Sequence, residues 1–256
     1  MTNHISEKYA AQLYTLRNEL EQDFLGVLRN LKKMGWKAVQ ISGLRGHSAE
    51  DISAVLKETG LKTAGMHIDI QSISNDLSGV LQLAEQFNTK DLIVPILPDH
   101  LRNELGYRMV KNHLNAIAAK IKPLGYTLSY HNHAFEFNTE IEGMDAMSYM
   151  LQPTEDNLLL AEIDVYWIKK AGHDPLQFIQ RYSNRMPIIH LKDMTTDEHE
   201  TFAELGTGSI DMVPILQWGE KNGIQYYAVE QDVCPRSPMD CLQTSLDYLM
   251  KISEKI

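Results

Sequence analysis

Eight short apolar runs alternate with segments of helical spacing along nearly the whole chain. The runs cover residues 9–14, 37–41, 63–67, 92–97, 126–130, 158–163, 187–191 and 225–229. Apolar residues recur every three or four positions in segments 18–34, 49–59, 75–87, 103–123, 144–151, 175–182, 210–222 and 239–251. Strict alternation of this kind predicts a parallel sheet, and eight units predict closure into a (β/α)8 TIM barrel.

The length of the chain fits one such barrel. Each of eight units would take about 32 of the 256 residues. No linker or low-complexity tract divides the sequence, so we predict a single TIM-barrel domain over residues 1–256. The competing architecture is an open, doubly wound sheet, which usually has a glycine-rich turn after its first strand. Residues 12–17 contain no glycine.

Charge and cysteine content limit which cell compartment and which partners the sequence is compatible with. The formal net charge of −10 disfavours nucleic acid and anionic membrane surfaces as partners. Cys234 and Cys241 are too few for a disulfide framework and lack the spacing of a zinc or redox motif. Residues 1–8 show no apolar signal core, and no apolar stretch is long enough for a membrane span. We expect a cytoplasmic protein. A homodimer is an alternative to a monomer, because barrel helices often form dimer contacts.

Polar residues at the ends of the apolar runs mark a candidate site. The active site of a (β/α)8 barrel is built from the carboxyl ends of its strands. Those ends carry His67, His131, Asn132, His133, Asp164, His190 and Glu230. Burying ionisable groups is costly unless they are paired or bound to a metal. Mixed imidazole and carboxylate donors suit one divalent ion (Mn, Zn, Co, Fe or Mg) better than Ca. The candidate ligands are therefore His131, Asp164, His190 and Glu230.

A set of motifs runs in order over most of the chain. They are QLYTLR at 12–17, GMH at 65–67, YHNHAFEF at 130–137, DVYW at 164–167, AGHDP at 171–175, HLKD at 190–193, ELGTGSID at 204–211 and EQD at 230–232. Together they resemble the sugar phosphate isomerase/epimerase family. These are the xylose isomerase-like TIM barrels, which also include inosose dehydratases and the endonuclease IV branch. The resemblance implies a divalent-metal-dependent isomerase or epimerase that removes a proton next to a carbonyl of a keto-sugar or related polyol.

The same resemblance implies which residues hold the metal. Family members typically use a Glu, an Asp, a His and a Glu from the last four strands, and the last three fall on Asp164, His190 and Glu230. The position of the first Glu falls on His131. Either this histidine replaces the carboxylate, or Glu136 reaches back from the loop to fill the place. Isomerases of the family place two metal-bound glutamates on opposite sides of the substrate, and only Glu230 carries over as one of them.

The histidine-rich stretch at 130–133 is similar to that of the dehydratases of the family. Elimination next to a keto group needs a base and an acid, and the imidazole of His133 can serve as either at neutral pH. The other candidate acid–base residues are Glu230 and Glu136. A keto-sugar or keto-inositol dehydratase, or a 3-keto-glycoside lyase, is therefore the alternative within the family.

Three further residues are candidates for contact with a sugar or polyol substrate. We expect His67 to donate a hydrogen bond and Trp167 to form an apolar wall. Lys192, two residues past His190, would stabilise a developing oxyanion. The structural alternatives are a lysine packed along the barrel rim and an aromatic residue packed in the core.

Two functions of other classes compete with these enzymes. A DNA-repair endonuclease would need a three-metal cluster and a basic face, which a chain of net charge −10 does not show. A non-catalytic barrel that binds a sugar is favoured by the missing glutamate of the fifth strand. The glycine pair in 204–208 lacks the Lys-Ser/Thr of a nucleotide cradle, although its backbone amides could take a phosphate. Since no basic cluster is present, we favour an unphosphorylated substrate.

Overall fold

The structure is a computed structural model and describes residues 5–256. Eight parallel strands form its central sheet. In chain order they are β1 (Tyr9–Gln12), β2 (Ala38–Ile41), β3 (Lys62–His67), β4 (Asp91–Val94), β5 (Thr127–His131), β6 (Leu160–Glu162), β7 (Ile188–Leu191) and β8 (Tyr226–Val229). All eight predicted strands are confirmed in place and order. The fourth ends earlier than predicted, because Pro95 has no N–H to continue the ladder.

Ten α-helices cover the sheet within the described residues. They are α1 (Arg17–Met34), α2 (Ala49–Thr59), α3 (Ile70–Asn75), α4 (Leu77–Gln86), α5 (Glu104–Ile121), α6 (Ala146–Met150), α7 (Val165–Lys170), α8 (Pro175–Ile179), α9 (Met212–Lys221) and α10 (Pro238–Ile252). The predicted helix at 75–87 starts later, and the short α3 precedes it. Helix α7 was not predicted, since six residues are too few to show a helical period.

Side-chain caps start both of these short helices. The Asp69 carboxylate accepts hydrogen bonds from the backbone N–H groups of Gln71 and Ser72 at the start of α3. The Asp164 carboxylate likewise accepts from Tyr166 and Trp167 at the start of α7. Such a cap satisfies backbone donors that no helical turn can reach.

The sheet order is β6-β5-β4-β3-β2-β1-β8-β7, so each strand pairs with its neighbours along the chain and β8 closes onto β1. Only β6 and β7 lack a regular ladder. There the His190 N–H donates to the Ile163 carbonyl at 2.9 Å, next to a single bridge between Asp164 and His190. The nearly closed sheet confirms the TIM barrel, and its seam lies between two predicted ligands.

Apolar side chains fill the barrel interior near the starts of the strands. Two buried clusters of small and branched residues lie there, Ala10, Ala38 and Ala64 in one and Ile93, Ile188 and Ala228 in the other. Gly65 has φ +81°, and a Cβ on it would lie 2.7 Å and 2.8 Å from the Cδ1 atoms of Ile93 and Ile188. Apolar side chains thus pack against the glycine backbone at this end of the barrel.

Two short antiparallel pairs decorate the barrel, Glu140–Ile141 with Met144–Asp145 and Asp193–Met194 with Phe202–Ala203. Within residues 5–256 no helix has the length and apolar character for a membrane crossing. The predicted extent of the single domain and the absence of a signal core fall partly on residues 1–4, outside the described residues, and stay predictions.

Candidate active site

The four predicted ligands converge at the carboxyl end of the barrel. One ligand atom from each residue lies within 4.8 Å of the others, the four being His131, Asp164, His190 and Glu230. His131 ends β5 and His190 lies within β7, whereas Asp164 and Glu230 follow β6 and β8. All four side chains are buried. The residues are far apart in sequence, and the parallel strands bring them to one edge.

This cluster holds more negative than positive charge. The carboxylates of Asp164, Glu230 and Asp232 surround one buried ammonium, and Lys192 Nζ lies 2.8, 2.8 and 2.7 Å from them. A fourth carboxylate, Glu162, lies fully buried beneath. Asp164 Oδ2 accepts no directed hydrogen bond despite its proximity to Lys192. An excess of buried carboxylates over buried ammonium groups fits a divalent cation, so this buried group could hold a metal ion.

The two histidines of the cluster have opposite protonation preferences. Burial, together with neighbouring His190, lowers the pKa of His131 to about 3, so that its imidazole is neutral at physiological pH. Burial would also lower the pKa of His190, but Glu162 and Glu230 outweigh it and raise the pKa to about 10. His190 therefore balances the carboxylates when no other cation does. Metal binding requires the neutral imidazole and would replace that proton.

Sequence reasoning missed the layer beneath the cluster, which Glu162, Gln40 and Gln12 form. Glu162 ends β6, and its Oε2 lies 2.7 Å from His67, 3.3 Å from His131 and 3.2 Å from His190. The Gln40 amide donates to Glu162 Oε1 at 2.6 Å, and the Gln12 amide donates to Gln40 at 2.7 Å. A signal was present in the sequence. Alternate residues of a strand face the same side, so Glu162 follows from Asp164 two positions later.

A cavity of about 340 Å³ opens over the cluster, within the size range of small-molecule sites. Its polar lining includes His67, His131, His133, Glu230 and Asp232. Two predicted ligands, His131 and Glu230, and two other predicted site residues, His67 and His133, therefore line the same cavity. Both ring nitrogens of His67 have protein partners, Glu162 at 2.7 Å and Gln12 at 3.3 Å. The expectation that His67 donates a hydrogen bond to the substrate is therefore not supported.

Glu136 does not reach the cluster. Its buried carboxylate accepts hydrogen bonds from the Tyr130 hydroxyl at 2.7 Å and from the His133 backbone N–H at 2.8 Å. Both oxygens are engaged by these donors and Glu136 lies outside the ligand group, while its predicted action on the substrate stays a prediction. Of the two alternatives, the structure brings His131 to the cluster.

Lys192 and Trp167 also lie behind the wall of the cavity that the described residues form. The Lys192 side chain is 1% exposed and enclosed by carboxylates, which corrects its predicted contact with a substrate oxyanion. Burial would lower its pKa, but Asp164 and Glu230 outweigh it and raise the pKa well above the usual value. The Trp167 ring lies 5.2 Å from that of His133, so it supports this histidine instead of contacting the cavity.

The glycine-rich loop after β7 has no free amides for a phosphate. The backbone N–H groups of Gly206, Gly208 and Ile210 donate to the Asp193 carboxylate at 3.0, 3.1 and 2.9 Å. A carboxylate of the protein thus takes the place where a bound phosphate was considered.

Comparison with known proteins agrees with this architecture. Residues 28–249 match the sequence profile of a family described as xylose isomerase-like TIM barrel. A solved structure of a sugar phosphate isomerase/epimerase from Parabacteroides distasonis is similar, with a TM-score of 0.80 and 24% identity over 95% of this chain and 98% of that one.

The curated relatives match a smaller share of this chain. An inosose dehydratase of Clostridium perfringens is 25% identical over 169 residues, which cover 59% of this chain and 56% of that protein. An inosose dehydratase of Geobacillus kaustophilus is 27% identical over 158 residues, which cover 54% and 50%. The chain spans about half the length of the curated relatives it matches.

Proposed function

The chain belongs to the xylose isomerase-like TIM barrel family, and from this premise we propose that it is a divalent-metal-dependent enzyme acting on a keto-sugar or related polyol. As an isomerase or epimerase it would remove the proton next to the substrate carbonyl. The observation that supports this most is the convergence of the four buried ligand candidates beneath one cavity. The name of the curated relatives, inosose dehydratase, supports a polyol substrate.

The ion would be held by His131, Asp164, His190 and Glu230. When bound, it supplies a Lewis acid that polarises the carbonyl next to the labile proton. Glu230 lines the cavity and is the proposed base. Burial would raise its pKa, but Lys192 and His190 outweigh burial and hold the pKa well below the usual value. Glu230 is therefore ionised at neutral pH and able to accept a proton.

His133 is the proposed second acid–base group. Burial and neighbouring His131 lower its pKa to about 2, so its imidazole is neutral and has one nitrogen free to accept. Its Nδ1 is buried and has no hydrogen-bond partner in the described part of the chain. Glu136 holds the backbone of His133, and Trp167 packs against its ring, so the imidazole is fixed at the cavity. Lys192 lies 2.8 Å from Glu230 and favours the ionised form of this carboxylate.

Elimination is a second candidate, as in a dehydratase or a 3-keto-glycoside lyase. The observation that favours it is the single glutamate in the ligand group, because epimerisation by two opposed glutamates has no second glutamate there. In elimination, neutral His133 would accept the proton from carbon and then return it to the leaving oxygen, so that base and acid roles are both filled. The name of the curated relatives points in the same direction.

Incubation with keto-polyols and 3-keto-glucosides in deuterated water, with and without Co²⁺ or Mn²⁺, tests both candidates. Epimerisation would introduce one deuterium with the mass otherwise conserved, whereas elimination would release water or the aglycone. Glu230→Gln should abolish either reaction, and Glu155→Gln, the same change at an exposed position, should not. A protein that binds these sugars but neither retains nor requires a divalent ion would be a non-catalytic sugar-binding barrel instead.

A further inference from the structure

We propose that Glu162 is a positioning residue that orients both histidine ligands of the candidate metal centre from below. The inference deepens the proposed function and rests on it, because it concerns the same site. It assigns a role to a residue that lies outside the four proposed ligands.

Each of the two histidines faces Glu162 with one ring nitrogen and the ligand carboxylates with the other. His131 Nδ1 lies 3.3 Å from Glu162 Oε2, and His131 Nε2 lies 3.9 Å from Asp164 Oδ2. His190 Nε2 lies 3.2 Å from Glu162 Oε2, and His190 Nδ1 lies 3.2 Å from Glu230 Oε2. One carboxylate oxygen therefore lies behind both rings, on the side away from Asp164 and Glu230.

This arrangement selects the tautomer of each ring. His190 Nε2 is surrounded by two acceptors, Gln40 Oε1 at 2.7 Å and Glu162 Oε2 at 3.2 Å, so it carries the proton. Loss of the other proton, which metal binding would require, then leaves the lone pair on Nδ1 toward Glu230. His131 Nδ1 lies 3.3 Å from Glu162 Oε2 without a directed hydrogen bond, and the carboxylate charge favours the proton on Nδ1, which leaves the lone pair on Nε2. A metal-binding histidine commonly donates its other N–H to a carboxylate, which fixes the ring and raises its basicity.

Glu162 itself is held from below and from the side. Gln40 donates to Oε1 at 2.6 Å, and His67 lies 2.7 Å from Oε2. The side chain is fully buried and does not line the cavity that the described residues form. Glu162 could also be a ligand, since His67, His131, Glu162 and His190 form a second compact group. We favour positioning, because both oxygens of Glu162 have protein partners and Glu162 is set back from the cavity that Glu230 lines.

The test uses Co²⁺ alone as the probe and the full chain. Glu162→Gln should still bind one Co²⁺ per chain, with an affinity about 10–100-fold weaker and a changed visible Co²⁺ spectrum. Nitrogen-15 NMR of the metal-free protein should show the neutral imidazole of His131 as mixed tautomers, in place of one tautomer. Glu220→Gln makes the same change on α9, where Glu220 accepts from Lys8 at 2.8 Å, and should leave both readouts unchanged.

Two results would overturn the proposal. Unchanged Co²⁺ affinity and unchanged tautomers would remove the positioning role, and complete loss of Co²⁺ by a folded variant would make Glu162 a ligand. If Glu162→Gln does not fold, Glu162→Asp decides, since it keeps the charge but withdraws the oxygens. Weaker binding of one Co²⁺ then supports the proposal, and unchanged binding refutes it. Failure of the unmodified protein to bind Co²⁺ would count against the proposed function, while the tautomers would still report on Glu162.

Discussion

The two ends of this barrel are packed by opposite chemistry on the same eight strands. Near the strand starts, alanine and isoleucine side chains fill the interior up to Gly65. At the strand ends, fully buried Glu162, Asp164 and Lys192 fill the same cross-section. Burying apolar area stabilises a fold by about 25 cal/mol per Å², whereas buried charges cost several kcal/mol each unless they are paired. The apolar end therefore stabilises the barrel, whereas the polar end costs stability unless its charges are paired.

Removing one carboxylate at the polar end should have the largest effect on function. We expect Asp164→Ala to lose metal binding and activity, which metal analysis and turnover of a keto-polyol would measure. Asp164 also caps α7, so that part of any loss of stability comes from the cap, worth about 1 kcal/mol. Asp164→Asn keeps the capping oxygen and separates the two effects. Full metal content and activity in the alanine variant would show that the ligand assignment is wrong.

Removing the buried cation should lower the free energy of unfolding, because the carboxylates around it would repel one another. In Lys192→Met, the carboxylates of Asp164, Glu230 and Asp232 lose the ammonium between them. Breaking a buried ion pair from one side costs about 3–5 kcal/mol, which urea unfolding would measure. Lys251→Met at an exposed position should change stability little. Equal stability of both variants would mean that the cluster is balanced without Lys192.

Adding one methyl group to the apolar end should cost somewhat less. Gly65→Ala would bring a Cβ within 2.8 Å of two isoleucine side chains at a φ of +81°, and overpacking costs about 1–3 kcal/mol. The loss should appear in urea unfolding, with metal affinity preserved in the remaining folded protein. Gly143→Ala has a φ of +77° but nothing within 4 Å, so it isolates the backbone strain. The same loss in both variants would refute the packing argument.

The smallest expected effect is a change in how stability depends on pH. Burial raises the pKa of Glu136 from 4.5 to about 7, so the folded protein binds this proton more tightly than the unfolded chain does. The contribution of Glu136 to stability is therefore full below pH 4.5 and is lost as the pH rises through about 7. Glu136→Gln should flatten this part of the profile relative to the unmodified protein. An identical slope in urea unfolding between pH 5 and pH 7 would contradict the raised pKa.

Local patterns in the sequence predicted most of the fold. Periodicity located all eight strands, because a strand buried on both faces reads as an apolar run. It missed α7, whose six residues show no period and whose only signal is the capping Asp164. Polar residues at strand ends likewise predicted four side chains that do converge, because parallel strands end at one edge of the sheet.

The sequence by itself determined the barrel and which strand ends carry ionisable groups, since both follow from the order of residues along the chain. Only the tertiary structure decided where each side chain points. It turned Glu136 away from the cluster, enclosed Lys192 among carboxylates and placed Glu162 behind two histidines. The physical reason is that a hydrogen bond or ion pair depends on distance and direction between strands, and neighbours in space are here far apart in sequence.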